Sequence, residues 1–205
     1  MNLVRKKLAI FASGRGSNAE ALHDAIKAGT INGDIVVVVT DHADAGVIER
    51  AERWNVPVIV IERKGFESKD AFEQAMIDAI APYSPDGIVL AGYMRLLGPT
   101  FITPYENRIL NIHPALLPSF SGLHAQGQAV VAGVKVSGCT VHFVDTGMDS
   151  GPIIMQNTVP VYADDTEDTL AERLLPIEHV TYKEALALFC DDKLEIKDHI
   201  VHIKG

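Results

Sequence analysis

The chain has 205 residues, of which 47% are hydrophobic and 22% charged. That fits one ordinary globular domain, or at most two small ones, and excludes a disordered chain, a collagen-like fibre and a coiled coil. Eighteen basic against 27 acidic residues leave a net charge of −9, a poor balance for holding a nucleic-acid backbone.

In chain order, residues 7–12 form an apolar run ending at Ser13-Gly14, which reads as a first strand. Residues 18–28 put Ala21, Leu22, Ala25 and Ile26 on one helical stripe; Ser17 with Glu20 fits a capping box and Gly29 a helix stop. Residues 35–40 are a β-branched run without alternation, as in a parallel strand buried on both faces. A helix over 45–54 and a strand over 56–61 follow. Next come a helix over 69–81, with Phe72, Ala75, Met76, Ala79 and Ile80 on one side, and a strand over 87–91. This alternation predicts a doubly wound α/β sheet.

The second half is less regular. Strands are expected over 108–112, 139–144 and 153–161, with a short helix over 125–132. Residues 166–189 are helical in composition, but Pro176 interrupts them, because a mid-helix proline removes a donor and kinks or splits the helix. The tail, 193–203, alternates around Lys197-Asp198-His199 and reads as a closing hairpin. Apolar runs such as 35–39 fall far short of the ~20 residues that span a bilayer. The start shows no export signal, so a cytoplasmic protein is expected. Cys139 and Cys190 lie far apart with no C-x-x-C, which argues against a disulfide framework or a zinc site.

Three segments carry chemistry. The first is Ala12-Ser-Gly14-Arg-Gly16-Ser-Asn18-Ala19, between a strand and a helix N-terminus, where glycines let the backbone approach an anion. Gly14-x-Gly16-x-x-Ala19 also satisfies the dinucleotide fingerprint, with Asp41 near the end of the second strand. A nicotinamide-cofactor protein or a nucleotide sensor therefore stays open, as does a plain capped turn; the missing Gly-Lys-Ser/Thr excludes a P-loop. The second is Asn111-Ile-His113-Pro114. Residues two apart on a strand project to one side, and an amide with an imidazole can stabilise an oxyanion and move a proton; a pair that merely satisfies local backbone groups is the plain alternative. The third is Asp145-Thr-Gly-Met-Asp149-Ser-Gly151-Pro152, which is either a turn or a source of a carboxylate that favours imidazolium in a nearby histidine.

Taken in order, several motifs resemble the phosphoribosylglycinamide formyltransferase family, folate-dependent enzymes of purine synthesis. They are the glycine loop, Gly92-Tyr-Met94-Arg95-Leu-Leu97, Asn111-Ile-His113-Pro114, Gly122-Leu-His124, Cys139-Thr-Val-His142-Phe-Val-Asp145 and Asp149-x-Gly151-Pro152. The resemblance covers roughly residues 8 to 190. It implies a three-layer α/β sandwich whose sheet is mostly parallel, with an antiparallel portion late in the chain. It implies a single domain over 1–205, its N-terminal half serving the nucleotide and its C-terminal half the folate and the chemistry, around one cleft. The implied reaction moves a formyl group from the co-substrate 10-formyltetrahydrofolate to the amine of glycinamide ribonucleotide, without a metal.

By the same resemblance, Gly16, Ser17 and Asn18 bind the phosphate and Glu178 holds the ribosyl-glycinamide. Met94, Arg95, Leu96 and Leu97 line the folate site, and Asn111 serves folate as well as catalysis. Lys69 stands where relatives often carry an arginine that touches folate; it keeps the charge without the planar fork. His113, Asn111 and Asp149 form the implied catalytic trio: His113, held protonated by Asp149, stabilises the oxyanion and protonates the departing folate nitrogen, and Asn111 donates to the oxyanion. His142 shares its strand face with Thr140 and Val144, either as a supporting residue bordering the pocket or as a structural one. Ser121, Gln126 and Gly127 depart from the family's usual Pro, His and Arg, so substrate contacts there are expected to be weakened or rebuilt. Pro176 is expected to reposition Glu178.

Two relatives within the wider fold are disfavoured. Formyltetrahydrofolate hydrolase usually carries an extra N-terminal domain, whereas the sheet here starts within about ten residues of Met1. Methionyl-tRNA formyltransferase needs a basic C-terminal domain. The expected partners are the two small molecules, with no nucleic acid and no membrane; a homodimer is left open.

Overall fold

The computed structural model describes residues 4–205. The export-signal reading rests in part on residues 1–3, which lie outside the described residues. The chain folds into two compact units, Met1–Leu110 and Asn111–Gly205. The main sheet has seven strands in the order β3-β2-β1-β4-β5-β6-β7.

The first unit contains β1 (Lys6–Phe11), α1 (Ser17–Lys27), β2 (Gly33–Thr40), α2 (Val47–Arg53), β3 (Val58–Val60), α3 (Lys69–Ile80), β4 (Gly87–Leu90) and the short α4 (Pro99–Ile102). β1 pairs in parallel with β2 and β4, and β2 with β3. Strand order reverses at β1, which makes the carboxyl ends of β1 and β4 the switch point of a doubly wound sheet. Leu8, Ile10, Phe11, Val37, Val38 and Ile88 are buried, so the unalternating β-branched run is covered on both faces as expected. Phe11 meets Tyr93 and Phe101 edge-on, with centroids 5.5 and 5.4 Å away.

One local expectation changes here. The capping box at α1 does not form: Gly16, in the left-handed region, is the N-cap, and no side chain caps the helix. Glu20 pairs with Arg50 and Arg53 of α2 instead. Gly29, at φ 77°, stops the helix as read. On α3 the apolar stripe carries one buried charge, Glu73, whose carboxylate accepts from the N–H groups of Gly98 (2.6 Å) and Phe101 (3.1 Å). It caps α4, which is too short to leave a sequence signal.

The second unit contains most of β5 (Ile109–His113), then α5 (Ala125–Ala132), β6 (Val136–Phe143), β7 (Ile153–Pro160), α6 (Glu167–Cys190) and the hairpin β8 (Leu194–Lys197) and β9 (Ile200–Ile203). β6 and β7 are antiparallel. α6 runs through Pro176 as a single helix of 24 residues, so of the expected kink or split the split does not occur. A proline inside a helix costs about 3 kcal/mol. Leu170, Leu174, Tyr182 and Leu186 are fully buried on this helix, and burial of one such side chain contributes about 1.5–3 kcal/mol, so tertiary packing outweighs the local penalty. A reciprocal Thr166–Thr169 box fixes its start. Asp198 and His199, both at positive φ, form the two-residue turn of the tail hairpin.

Among the described residues, no helix is long and apolar enough to cross a membrane. No group of three or more His, Cys, Asp or Glu residues among them is placed to hold a metal ion.

Candidate functional site

In the first unit the glycine loop leaves β1 at the switch point. Ser13 N–H donates to Gly92 O (3.0 Å), which ties the loop to the turn after β4. Gly16 has φ 75°, and a Cβ there would lie 2.8 Å from the Val47 side chain, so both backbone and packing require glycine. Ser17 and Asn18 open α1 and are half-buried. The first N–H groups of a helix lack intrahelical acceptors, and its dipole favours an anion there. Gly16, Ser17 and Asn18 thus stand together at the start of α1.

Met94 and Leu96 follow β4 and are 70% and 59% exposed, large apolar groups held in the open. Arg95 and Leu97 are half-buried. Lys69 starts α3, with its Nζ 3.7 Å from Glu73 Oε1. Asp41 is not presented to a ribose. Its Oδ1 accepts from Ser13 Oγ (2.6 Å) and its Oδ2 from Arg95 Nε (2.5 Å), which removes the acidic partner that the dinucleotide reading requires. Burial pushes the neighbouring Tyr93 phenol far above its usual range, and the Asp41 charge adds to this.

In the second unit β5 carries Asn111 towards His142 and His113 towards the Asp149 carboxylate. His113 is 5% exposed. Its Nδ1 lies 3.4 Å from Asp149 Oδ2, and its Nε2 is 2.8 Å from Phe120 O. Both ring nitrogens therefore face oxygen atoms, the Asp149 carboxylate on one side and the Phe120 carbonyl on the other. Asp149 Oδ2 also accepts from Gly122 N–H at 2.8 Å. Asp149 itself sits at φ 51° and Phe120 at φ 57°, left-handed conformations that cost energy in non-glycine residues and collect at functional sites. Gly151 closes the Asp149 loop so tightly that a Cβ would lie 1.8 Å from Phe143 O.

His142 on β6 completes the group. Its Nδ1–H donates to Phe143 O (2.8 Å), so Nε2 is left to accept from Asn111 Nδ2 at 3.2 Å. Burial lowers its pKa below the ordinary 6.5, which keeps the ring neutral and able to accept. The Asn111 amide is thereby oriented, with its second N–H directed elsewhere. Strand alternation puts Thr140 on the face of His142, but nothing local shows that it braces the segment after His113. Its Oγ1 accepts from Leu117 N–H (3.0 Å) and donates to Ala115 O (2.7 Å).

The 120–128 loop is tied down by contacts of its own. His124 Nδ1 lies 3.0 Å from Glu167 Oε1, and a Cβ at Gly127 would meet that carboxylate at 2.8 Å. Gln128 Nε2 donates to Ser121 O and Leu123 O. Glu178 lies on α6, 8% exposed. Its charge adds to burial in raising the Cys139 thiol.

Comparison with known proteins bears on these arrangements. The family model described as formyl transferase matches residues 6–186. The chain belongs to the formyl transferase family. Phosphoribosylglycinamide formyltransferase of Bacillus subtilis (strain 168) is 46% identical over 181 residues, covering 88% of this chain and 93% of that protein. The protein of the same name from Escherichia coli (strain K12) is 38% identical over 205 residues, 100% of this chain and 94% of its own length. The crystal structure of glycinamide ribonucleotide transformylase 1 from Symbiobacterium toebii superposes with a TM-score of 0.96 at 44% identity, covering 98% of this chain and 95% of that one. The mostly parallel seven-strand sheet flanked by helices is the formyltransferase fold of that family member.

Proposed function

We propose that the chain is a phosphoribosylglycinamide formyltransferase: it moves the formyl group of 10-formyltetrahydrofolate to the amine of glycinamide ribonucleotide in purine synthesis. The observation that carries this reading is the His113 imidazole set between the Asp149 carboxylate and a carbonyl, on the strand that also bears Asn111, in a member of the formyl transferase family. The chain acts as one domain over 1–205, in the cytoplasm, on two small molecules and without nucleic acid, membrane or metal; a homodimer is compatible with this reading.

In the mechanism we infer, Gly16, Ser17 and Asn18 hold the acceptor's phosphate and Glu178 its ribosyl-glycinamide part. Lys69, Met94, Arg95, Leu96, Leu97 and Asn111 hold the folate. The neutral amine attacks the formyl carbon, and a tetrahedral oxyanion forms. The second N–H of Asn111, aimed by His142, donates to that oxygen. His113 in its doubly protonated form donates a proton to the folate nitrogen as the bond from that nitrogen to the formyl carbon breaks. The proton shed by the attacking amine replaces it, so the imidazole is restored. His113 Nε2–H is donated to Phe120 O in the structure, so the reacting group must displace that carbonyl. A positioned acid contributes about 10²–10⁴-fold. Holding both reactants together supplies up to about 7–11 kcal/mol, so positioning contributes more than proton transfer.

Purified protein should consume 10-formyltetrahydrofolate only when glycinamide ribonucleotide is present. Equal turnover without the acceptor would mean that water is the acceptor, the hydrolase reading.

A further inference from the structure

Asp41 is a buried carboxylate that the proposed chemistry does not use. It directly follows strand β2, and its side chain is 1% exposed. Burying a carboxylate is costly unless charge and hydrogen bonds compensate, and three side chains surround this one. Arg95 Nε donates to Oδ2 at 2.5 Å, Ser13 Oγ donates to Oδ1 at 2.6 Å, and His42 Nε2 stands 3.4 Å from Oδ2. The Ser13 hydroxyl, having spent its proton on Asp41, accepts from the Met94 main-chain N–H at 3.0 Å. Two consecutive residues after β4 are therefore anchored to one carboxylate. Met94 is held through its backbone, by way of Ser13, and Arg95 directly through its side chain, which also lies over the Phe72 ring at 5.9 Å.

The turn held this way begins at Gly92, which has φ 78°. It carries Met94 and Leu96 outwards with their side chains in the open. An exposed apolar turn has little packing of its own to fix its backbone. We propose that Asp41 is a positioning residue for the formyl-donor segment. Acting through Ser13 and Arg95, it sets the main-chain geometry of residues 94–97 in advance of folate binding and so governs donor affinity rather than the chemical step. This rests on the reading above that residues 94–97 hold the folate. Preorganised backbone groups bind better because the ordering cost has been met before the ligand arrives.

The test compares steady-state constants for both substrates in Asp41→Asn, Ser13→Ala and the double variant. Asp41→Asn keeps the size and removes the charge that holds Arg95; Ser13→Ala removes the relay to Met94. Each should raise KM for 10-formyltetrahydrofolate about tenfold, at the low end for a lost charge-assisted hydrogen bond, with kcat within about twofold. The double variant should be little worse than the poorer single, because both act on one turn. Ser13→Thr, which retains the hydroxyl, should recover most of the donor KM. An unchanged donor KM in folded Asp41→Asn and Ser13→Ala overturns the proposal. So does a common fall in kcat and rise in both KM values that Ser13→Thr fails to recover, because that pattern marks a purely structural role. If Asp41→Asn does not fold, the Ser13 pair decides alone. Wild-type protein that transfers no formyl group defeats the functional reading itself, which separates the two failures.

Discussion

The glycine loop of the first unit and the Asn111–His113–His142–Asp149 group of the second work with different materials. The loop offers main-chain N–H groups from a helix start and a glycine whose replacement would strain both backbone and packing. The second group offers ring nitrogens, an amide and a carboxylate, aimed by hydrogen bonds at 2.8–3.2 Å and by the His113–Asp149 contact at 3.4 Å. Backbone donors survive the loss of a side chain, whereas a proton donor does not. Substitutions should therefore separate the two regions by size of effect and by which kinetic constant moves.

The largest effect belongs to His113. His113→Ala should lower kcat by about 10²–10⁴-fold, the range for a positioned acid, while KM for either substrate changes little. A drop confined to KM would move His113 from chemistry to binding. Gly16→Ala comes next and acts through structure. A left-handed backbone costs a residue with a Cβ roughly 1–2 kcal/mol, and the clash with Val47 adds to it. Thermal unfolding should show the loss of stability, and KM for glycinamide ribonucleotide should rise; an unchanged Tm would contradict the packing at this turn.

His142 links the chemistry to stability through pH. Burial holds its pKa below the ordinary 6.5. As pH falls through that value the unfolded chain takes up a proton that the folded chain resists, so this contribution to stability is intact above it and declines below it. His142→Gln should flatten that part of the stability–pH curve, and should lower kcat by about tenfold as Asn111 loses its orientation. A curve of unchanged slope below pH 6.5 would remove His142 as its cause. Ser17→Ala should matter least: a change in KM for the acceptor within about threefold is expected, because main-chain N–H groups carry most of an anion site at a helix start. A loss of tenfold or more would reverse the contrast between the regions, showing that a side chain dominates the loop.

What the sequence reveals differs along the same line. Local patterns expose the glycine loop, the β-branched β2 and the spacing of Asn111 and His113, because each depends on neighbours within a few residues. The Asp41–Arg95 pair spans 54 positions, and only the sheet order that sets β1 beside both β2 and β4 makes it possible. Glu73 escapes for a similar reason: a charged residue on an otherwise apolar stripe reads as solvated until a short helix supplies two N–H groups to it. Local rules also mislead where packing outvotes them, as at Pro176 within the buried α6, and where a better partner exists, as for Glu20, which takes Arg50 and Arg53 in place of the cap. Asp149 is legible as a carboxylate in a turn, but its alignment with His113 depends on a left-handed backbone and on the Gly122 N–H, 27 residues away in sequence.

The central claim is that this chain transfers an intact formyl group between two nitrogens. Carbon-13 in the formyl group of 10-formyltetrahydrofolate, followed by NMR with glycinamide ribonucleotide present, tests it directly. The label is expected to move to the glycinamide nitrogen as a new formamide, with no accumulation of formate. Label that accumulates as free formate, whether or not the acceptor is added, would contradict it.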